Sequence, residues 1–193
     1  MNIDPSQKTD EDLVKLTIEN QNFFVHIMNR YEEKLSRYIR RLSNCSSEEI
    51  EDILQDVFIK LYKNINDFDT NLKFSSWIYR ITHNEVISGH RKKKRRPEST
   101  PGEENDIALD NIVSEMNTEK EIDTKMMKKG IYKIFKKLDN KYRDVLVLNY
   151  FEEKSYKEMS DILKKPMGTI AALMNRAKKE FRKELEKGEV KIN

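Results

Sequence analysis

Between Glu19 and Leu42 the side chains of Phe24, Ile27, Met28, Tyr31, Leu35, Tyr38, Ile39 and Leu42 recur at intervals of three and four. Only an α-helix gathers that spacing onto one face, because a strand would scatter it over two. The pattern returns at Ile50, Ile53, Leu54, Val57, Phe58 and Leu61, then more briefly at Ile131, Ile134, Phe135 and Leu138. Val145, Leu146, Leu148 and Phe151 mark a further helix, and Ile170, Met174, Ala177, Phe181 and Leu185 the last. With five glycines and four prolines in 193 residues, little interrupts these stripes. Apolar residues are 37% of the chain, low for one large core but enough for two small ones. The expected fold is all-α, with two small helical domains joined by a flexible acidic linker.

Composition shifts place the boundaries. Residues 1–18 read as a polar N-terminal extension, 19–96 as the first domain, 97–124 as a linker and 125–193 as the second domain. In the first domain Ser46 or Ser47 can cap a helix whose first turn is acidic, where the helix dipole favours negative charge. The outer side of that helix carries Asp52, Gln55 and Asp56. "NDFDTNLK" (66–73) has turn chemistry. A helix from about Phe74 should run through "HRKKKRR" and end by Pro97, since a residue before proline is pushed out of the helical region. The linker has two prolines and no aromatic residue, with room for a helical turn around 107–116.

The net charge of +3 conceals a pattern. Residues 73–97 hold eight Lys/Arg against Glu85, residues 98–123 nine acids against Lys120, and residues 164–187 eight Lys/Arg against three acids. Two positive blocks around a negative spacer suit a polyanion held at two points. The longest aliphatic run, Val145–Leu148, is far too short to span a bilayer. The start shows neither a basic lead nor an apolar block, so no signal peptide is expected. A lone Cys45 cannot form an internal disulfide, which fits a reducing, cytoplasmic setting. His26, His83 and His90 are scattered, Glu152–Glu153 stands alone, and no Gly-rich phosphate loop occurs. Neither catalysis nor a cofactor nor a metal is therefore expected.

The most informative break lies between "SYKEMSDIL" (155–163) and "KKPMGTIAALMNRAKK" (164–179). Ser155 with Glu158 matches a capping box, and a proline suits the first turn of a helix. Two helices about a tight turn describe a helix-turn-helix, whose second helix enters the DNA major groove. The break alone would equally suit a plain helical hairpin. Outward-facing Ala171, Ala172, Asn175, Lys178, Lys179 and Arg182, with a second basic block upstream, favour DNA.

"LDNKYRDVLVLNYFEEKSYKEMSDILKKPMGTIAALMNRAKKEFRKEL" resembles the C-terminal DNA-binding region of bacterial extracytoplasmic-function (ECF) sigma factors, and "EDILQDVFIKLYKNINDFDTNLKFSSWIYRITHNEVISGHRKKKRR" resembles region 2 of the same family. The resemblance implies a subunit that binds core RNA polymerase and directs promoter recognition and transcription initiation, without catalysis of its own. It makes 19–96 region 2 and 125–193 region 4. It implies that Asp52, Gln55, Asp56 and Phe58 meet the polymerase clamp. Phe68, Asn71, Phe74, Trp77, Arg80, His83, Asn84, Arg91, Lys92 and Arg95 would serve the minus-ten element and its opening. Ser155, Thr169, Ala171, Ala172, Asn175, Arg176, Lys178 and Lys179 would serve the minus-thirty-five element. Aromatic residues three apart on a helix usually pack inward, so Phe74 and Trp77 are expected to belong at least half to the core. The family also implies an anti-sigma factor as a partner.

Three positions depart from the family pattern. Ala171 and Leu173 stand where Lys and Arg are frequent, Lys164 where the turn often has Gly, and Ser88 near a usual Asp. With Ala171 and Leu173 there, direct base readout is expected to be weaker or to rely on apolar contact with thymine methyls. The alternative is a stand-alone helix-turn-helix regulator, which would bind its operator without polymerase.

Overall fold

Thr9 opens the first helix. Its hydroxyl accepts from the Asp12 N–H, and Asp10, Glu11 and Asp12 fill a first turn where the helix dipole favours acids. The computed structural model describes residues 4–43, 45–69, 72–95 and 122–189, and among them every regular element is helical. Among the described residues, 4–95 fall in one compact unit and nearly all of 122–189 in the other.

In the first unit, α1 (Asp10–Glu19) and a short 3-10 turn (Gln21–Phe23) lead to α2 (Phe24–Leu42), α3 (Ser47–Lys63) and α4 (Phe74–Arg95). Ser46 caps α3 through a reciprocal box with Glu49, as its sequence predicts. Leu35, Tyr38, Ile39, Leu61, Phe74 and Ile78 are sealed in the core. Two expectations change. Residues 1–18 are not simply a polar extension, because α1 buries Leu13, Val14 and Thr17. Asp10 ties α1 to α2, pairing with Arg30 at 2.8 Å and accepting from the Tyr31 hydroxyl at 2.5 Å. The helix expected from Glu19 starts instead at Phe24, since the extended Asn20 ends α1 and its side chain caps the 3-10 turn.

In the second unit α5 (Ile122–Lys137), α6 (Asn140–Tyr150), α7 (Tyr156–Leu163) and α8 (Met167–Glu184) follow, the last running on into a π-helical turn (Leu185–Glu189). Ile134, Val145, Leu148, Met159, Ile170, Met174 and Ala177 are buried, as their stripes require. Phe135 packs against Phe151 and Phe181, with ring centroids 5.6 and 5.3 Å away. Of the expected linker 97–124, positions up to 121 lie outside the described residues, as does the helical turn around 107–116. Residues 122–124 already belong to α5, so the second domain's first helix starts three residues before the expected boundary at 125.

On α6, burial pushes the Asp144 carboxyl up to about 7, against the pull of the Arg143 guanidinium. A carboxyl raised by folding binds its proton more tightly in the native state than in the open chain. Its stabilising contribution is complete below the ordinary value of 3.8 and is lost as pH rises through about 7. Calorimetry of the full chain from roughly pH 5 to 8 is expected to show a transition that falls with rising pH. Asp144→Asn is expected to flatten that slope.

Candidate nucleic-acid interface

The aromatic residues around the start of α4 close on one another. Phe68 lies 5.6 Å from Phe74 and 5.2 Å from Trp77, ring to ring, and Phe74 lies 5.6 Å from Tyr31 of α2. All three are buried, Phe74 completely. Phe74 and Trp77 are core, as their spacing predicts, and Phe68, whose ring is expected to offer a face to DNA bases, is core as well. Positions 74 and 77 share one side of α4, and that side meets α2. His83 is corrected likewise: it is buried, its Nδ1 3.2 Å from the Tyr38 hydroxyl. Among the described α4 side chains, Asn84 and Ser88 are exposed and Arg80 is half-buried, with Lys73 exposed just ahead of the helix. Lys60 of α3 pairs with Glu85 of α4 at 2.5 Å. Asn71 and the side chains of Arg91, Lys92 and Arg95 lie outside the described residues.

On α3, Asp52, Gln55 and Asp56 are exposed, on the side away from Leu54, Val57 and Leu61. Phe58 is corrected, being buried with its ring edge-on to Phe24 at 6.5 Å. It still forms part of the floor of an open groove of about 550 Å³ between α2 and α3, bordered by Met28, Gln55, Ile59 and Tyr62. Sequence reasoning missed Ile59 and Tyr62, two large apolar residues left exposed at the rim. Ile59 carried a signal, since it is apolar yet falls off the buried stripe.

The helix-turn-helix is built locally. Ser155 and Glu158 cap α7 reciprocally. Lys164 takes the left-handed conformation, φ 52°, at a cost of about 1–2 kcal/mol that a glycine would avoid. The Ser160 hydroxyl donates to the Lys165 carbonyl at 2.6 Å and holds the turn. Pro166 sits at the cap rather than within the first turn, its carbonyl accepting from Thr169 and Ile170 at 2.8 and 3.0 Å. With Ile170, Met174 and Ala177 turned inward, Thr169, Ala172, Asn175, Arg176, Lys178 and Lys179 are exposed and Ala171 is half-buried. Ser155 is exposed at the head of α7. The first turn of α8 is uncharged and carries the exposed Met167, another residue the sequence did not single out. Its cations, Arg176 to Lys183, come about two to four turns later, with Lys178 Nζ 5.9 Å above the Tyr150 ring.

Sigma-70 region 2 matches residues 27–96 and Sigma-70 region 4 matches 129–181. Over 172 residues the chain is 35% identical to the ECF RNA polymerase sigma factor SigW of Bacillus subtilis, covering 86% of this chain and 90% of that one. The chain belongs to the ECF sigma factor family. The RNA polymerase sigma-H factor of Pseudomonas aeruginosa is 26% identical over 94% of this ECF sigma factor and 96% of its own length. Among solved structures, CnrH in complex with the cytosolic domain of CnrY shares the fold at a TM-score of 0.70 and 19% identity, over 94% of this chain and 99% of that one. Sigma factor RpoE of Bartonella quintana, in complex with the anti-sigma factor NepR, gives 0.62 at 19% identity, over 84% and 96%. As an ECF sigma factor the protein acts with RNA polymerase in transcription initiation, and the stand-alone regulator is not favoured. No described helix is long and apolar enough to cross a membrane.

Proposed function

We propose that each unit of this sigma factor takes one share of promoter recognition. The exposed face of α3, with Asp52, Gln55 and Asp56, docks on the clamp of core polymerase, and the adjoining α2–α3 groove extends that surface. The loop 66–73 with Arg80, Asn84 and the basic end of α4 handles the minus-ten element and its opening. The α7–α8 pair holds the minus-thirty-five element, with Arg176, Lys178 and Lys179 on phosphates and Thr169, Ala171 and Ala172 toward base edges. The carrying observation is the face of α8, which leaves cations and small side chains on solvent while its apolar stripe is buried. Cations there neutralise backbone phosphates, and a small-residue face lets the helix approach thymine methyls closely. An anti-sigma factor is proposed as the inhibitory partner, because both solved chains of like fold carry a bound partner, and the partner of the sigma factor RpoE, NepR, is named as an anti-sigma factor. The site of action is the cytoplasm, where polymerase and promoters are.

Run-off transcription with core polymerase over a genomic library tests the reading. Promoter-dependent transcripts are expected only when both proteins are present. The double variant Lys178→Glu, Lys179→Glu is expected to weaken holoenzyme binding to duplex promoter about tenfold or more and to lower the salt slope by about 2. Asp52→Lys with Asp56→Lys should weaken core binding and leave the α8 face intact. Specific transcription unaffected by both double variants would remove the proposal.

A further inference from the structure

The N-terminus of α4 is capped by another helix. The Lys73 carbonyl accepts from Ser76 and Trp77 at 3.0 and 3.2 Å, which makes Lys73 the cap residue of α4. A lysine side chain has donors only and cannot satisfy the free N–H groups of a first turn. Glu11 does so from α1: its Oε1 accepts from the Phe74 N–H at 3.0 Å, across 63 residues of sequence. The adjacent Asp10 anchors α1 to Arg30 and Tyr31 of α2, so the carboxylate is presented from a fixed base. Phe74 is also the ring against which Phe68 packs, on the far side of the loop. Phe74, where the chain enters α4, is therefore held by a ring contact from Phe68 and by the Glu11 carboxylate. A negative group at a helix N-terminus is also favoured by the dipole.

We propose that Glu11 is a positioning residue for promoter opening, setting the first turn of α4 and with it the exit of the 66–73 loop. The proposal rests on the reading of that loop as the opening element. Loss of a cap of this kind loosens the helix start, and the loop attached to it then samples orientations that no longer meet the separating strands. No contact between Glu11 and DNA is involved.

The test uses full-length protein with core polymerase on two templates, an intact duplex promoter and the same promoter pre-melted across the minus-ten region. Glu11→Ala is expected to slow open-complex formation on the duplex about fivefold, in line with the loss of one helix cap, and to act as wild type on the pre-melted template. Glu11→Gln keeps an acceptor oxygen at the same reach and is expected to recover most of the rate. Equal rates for Glu11→Ala and wild type on duplex would overturn the proposal. So would an equal defect on both templates, which would mark a general loss of folding or core binding. Asn71→Ala and Arg80→Ala separate the two readings. If both open duplex normally, the loop assignment falls and the Glu11 proposal with it. If they are impaired and Glu11→Ala is not, Glu11 alone is excluded.

Discussion

Replacing Phe74 with alanine is expected to destabilise the first unit by about 3–5 kcal/mol and to abolish promoter opening by unfolding rather than by lost base stacking. The ring is 0% exposed and lies within 6 Å, centroid to centroid, of Tyr31, Phe68 and Trp77. Removing it opens a cavity among three aromatic neighbours whose rigid rings cannot collapse into the space. Domains of this size hold about 5–15 kcal/mol in total, so the loss consumes a large share. Trp77 is the only tryptophan in the chain, 5.9 Å from Phe74, and its fluorescence reports the transition directly in urea. Phe74→Leu distinguishes packing from stacking. Leucine refills most of the volume and should keep both fold and opening, although it offers a base no π-face. A Phe74→Leu protein that melts near the wild-type midpoint yet fails to open duplex DNA would return Phe74 to the DNA interface.

The same residue shows where sequence reasoning reached its limit. An aromatic residue beside a basic helix fits base stacking and core packing equally well until its neighbours are known. Those neighbours, Tyr31 and Phe68, come from another helix and a loop that no local pattern connects to α4. Long regular stripes were legible: α2, α3 and α8 bury the side their periodicity predicts. Charged residues were legible too, because Asp52, Asp56, Arg176, Lys178 and Lys179 cannot be buried without partners and stay outside. The short α1 was missed, since Leu13, Val14, Leu16 and Ile18 are too few to establish a period among so many polar neighbours. Glu11 was beyond reach altogether, because its role depends on one hydrogen bond to a residue 63 positions away. The capping boxes at Ser46 and Ser155 lie at the other extreme, with both partners three residues apart and readable as letters. Family resemblance supplied the two regions, and the structure adds which of their described side chains are exposed.

The second large effect is expected at Arg143, which is not among the proposed DNA contacts. Its Nε donates to the Phe135 carbonyl at 2.9 Å, and its Nη2 donates to the Lys136 and Leu138 carbonyls at 2.9 and 3.2 Å. These oxygens end α5, where helix carbonyls have no partner of their own and the dipole favours a cation. Burial holds the guanidinium below its ordinary pKa, yet arginine stays charged at any relevant pH. Arg143→Ala would strand three carbonyls and remove the packed stem, a loss of about 2–4 kcal/mol from the second unit. Arg143→Lys should restore only part of it, since an ammonium on a flexible stem cannot span carbonyls that a planar fork reaches together. Because α5 contributes Ile134 and Phe135 beneath α8, the defect should appear in function as a temperature effect. In the cold, Arg143→Ala holoenzyme is expected to bind the minus-thirty-five element as wild type does. On warming it should lose that binding many degrees earlier, in step with helix loss followed by circular dichroism. A variant equally weak at all temperatures would instead place Arg143 at the DNA.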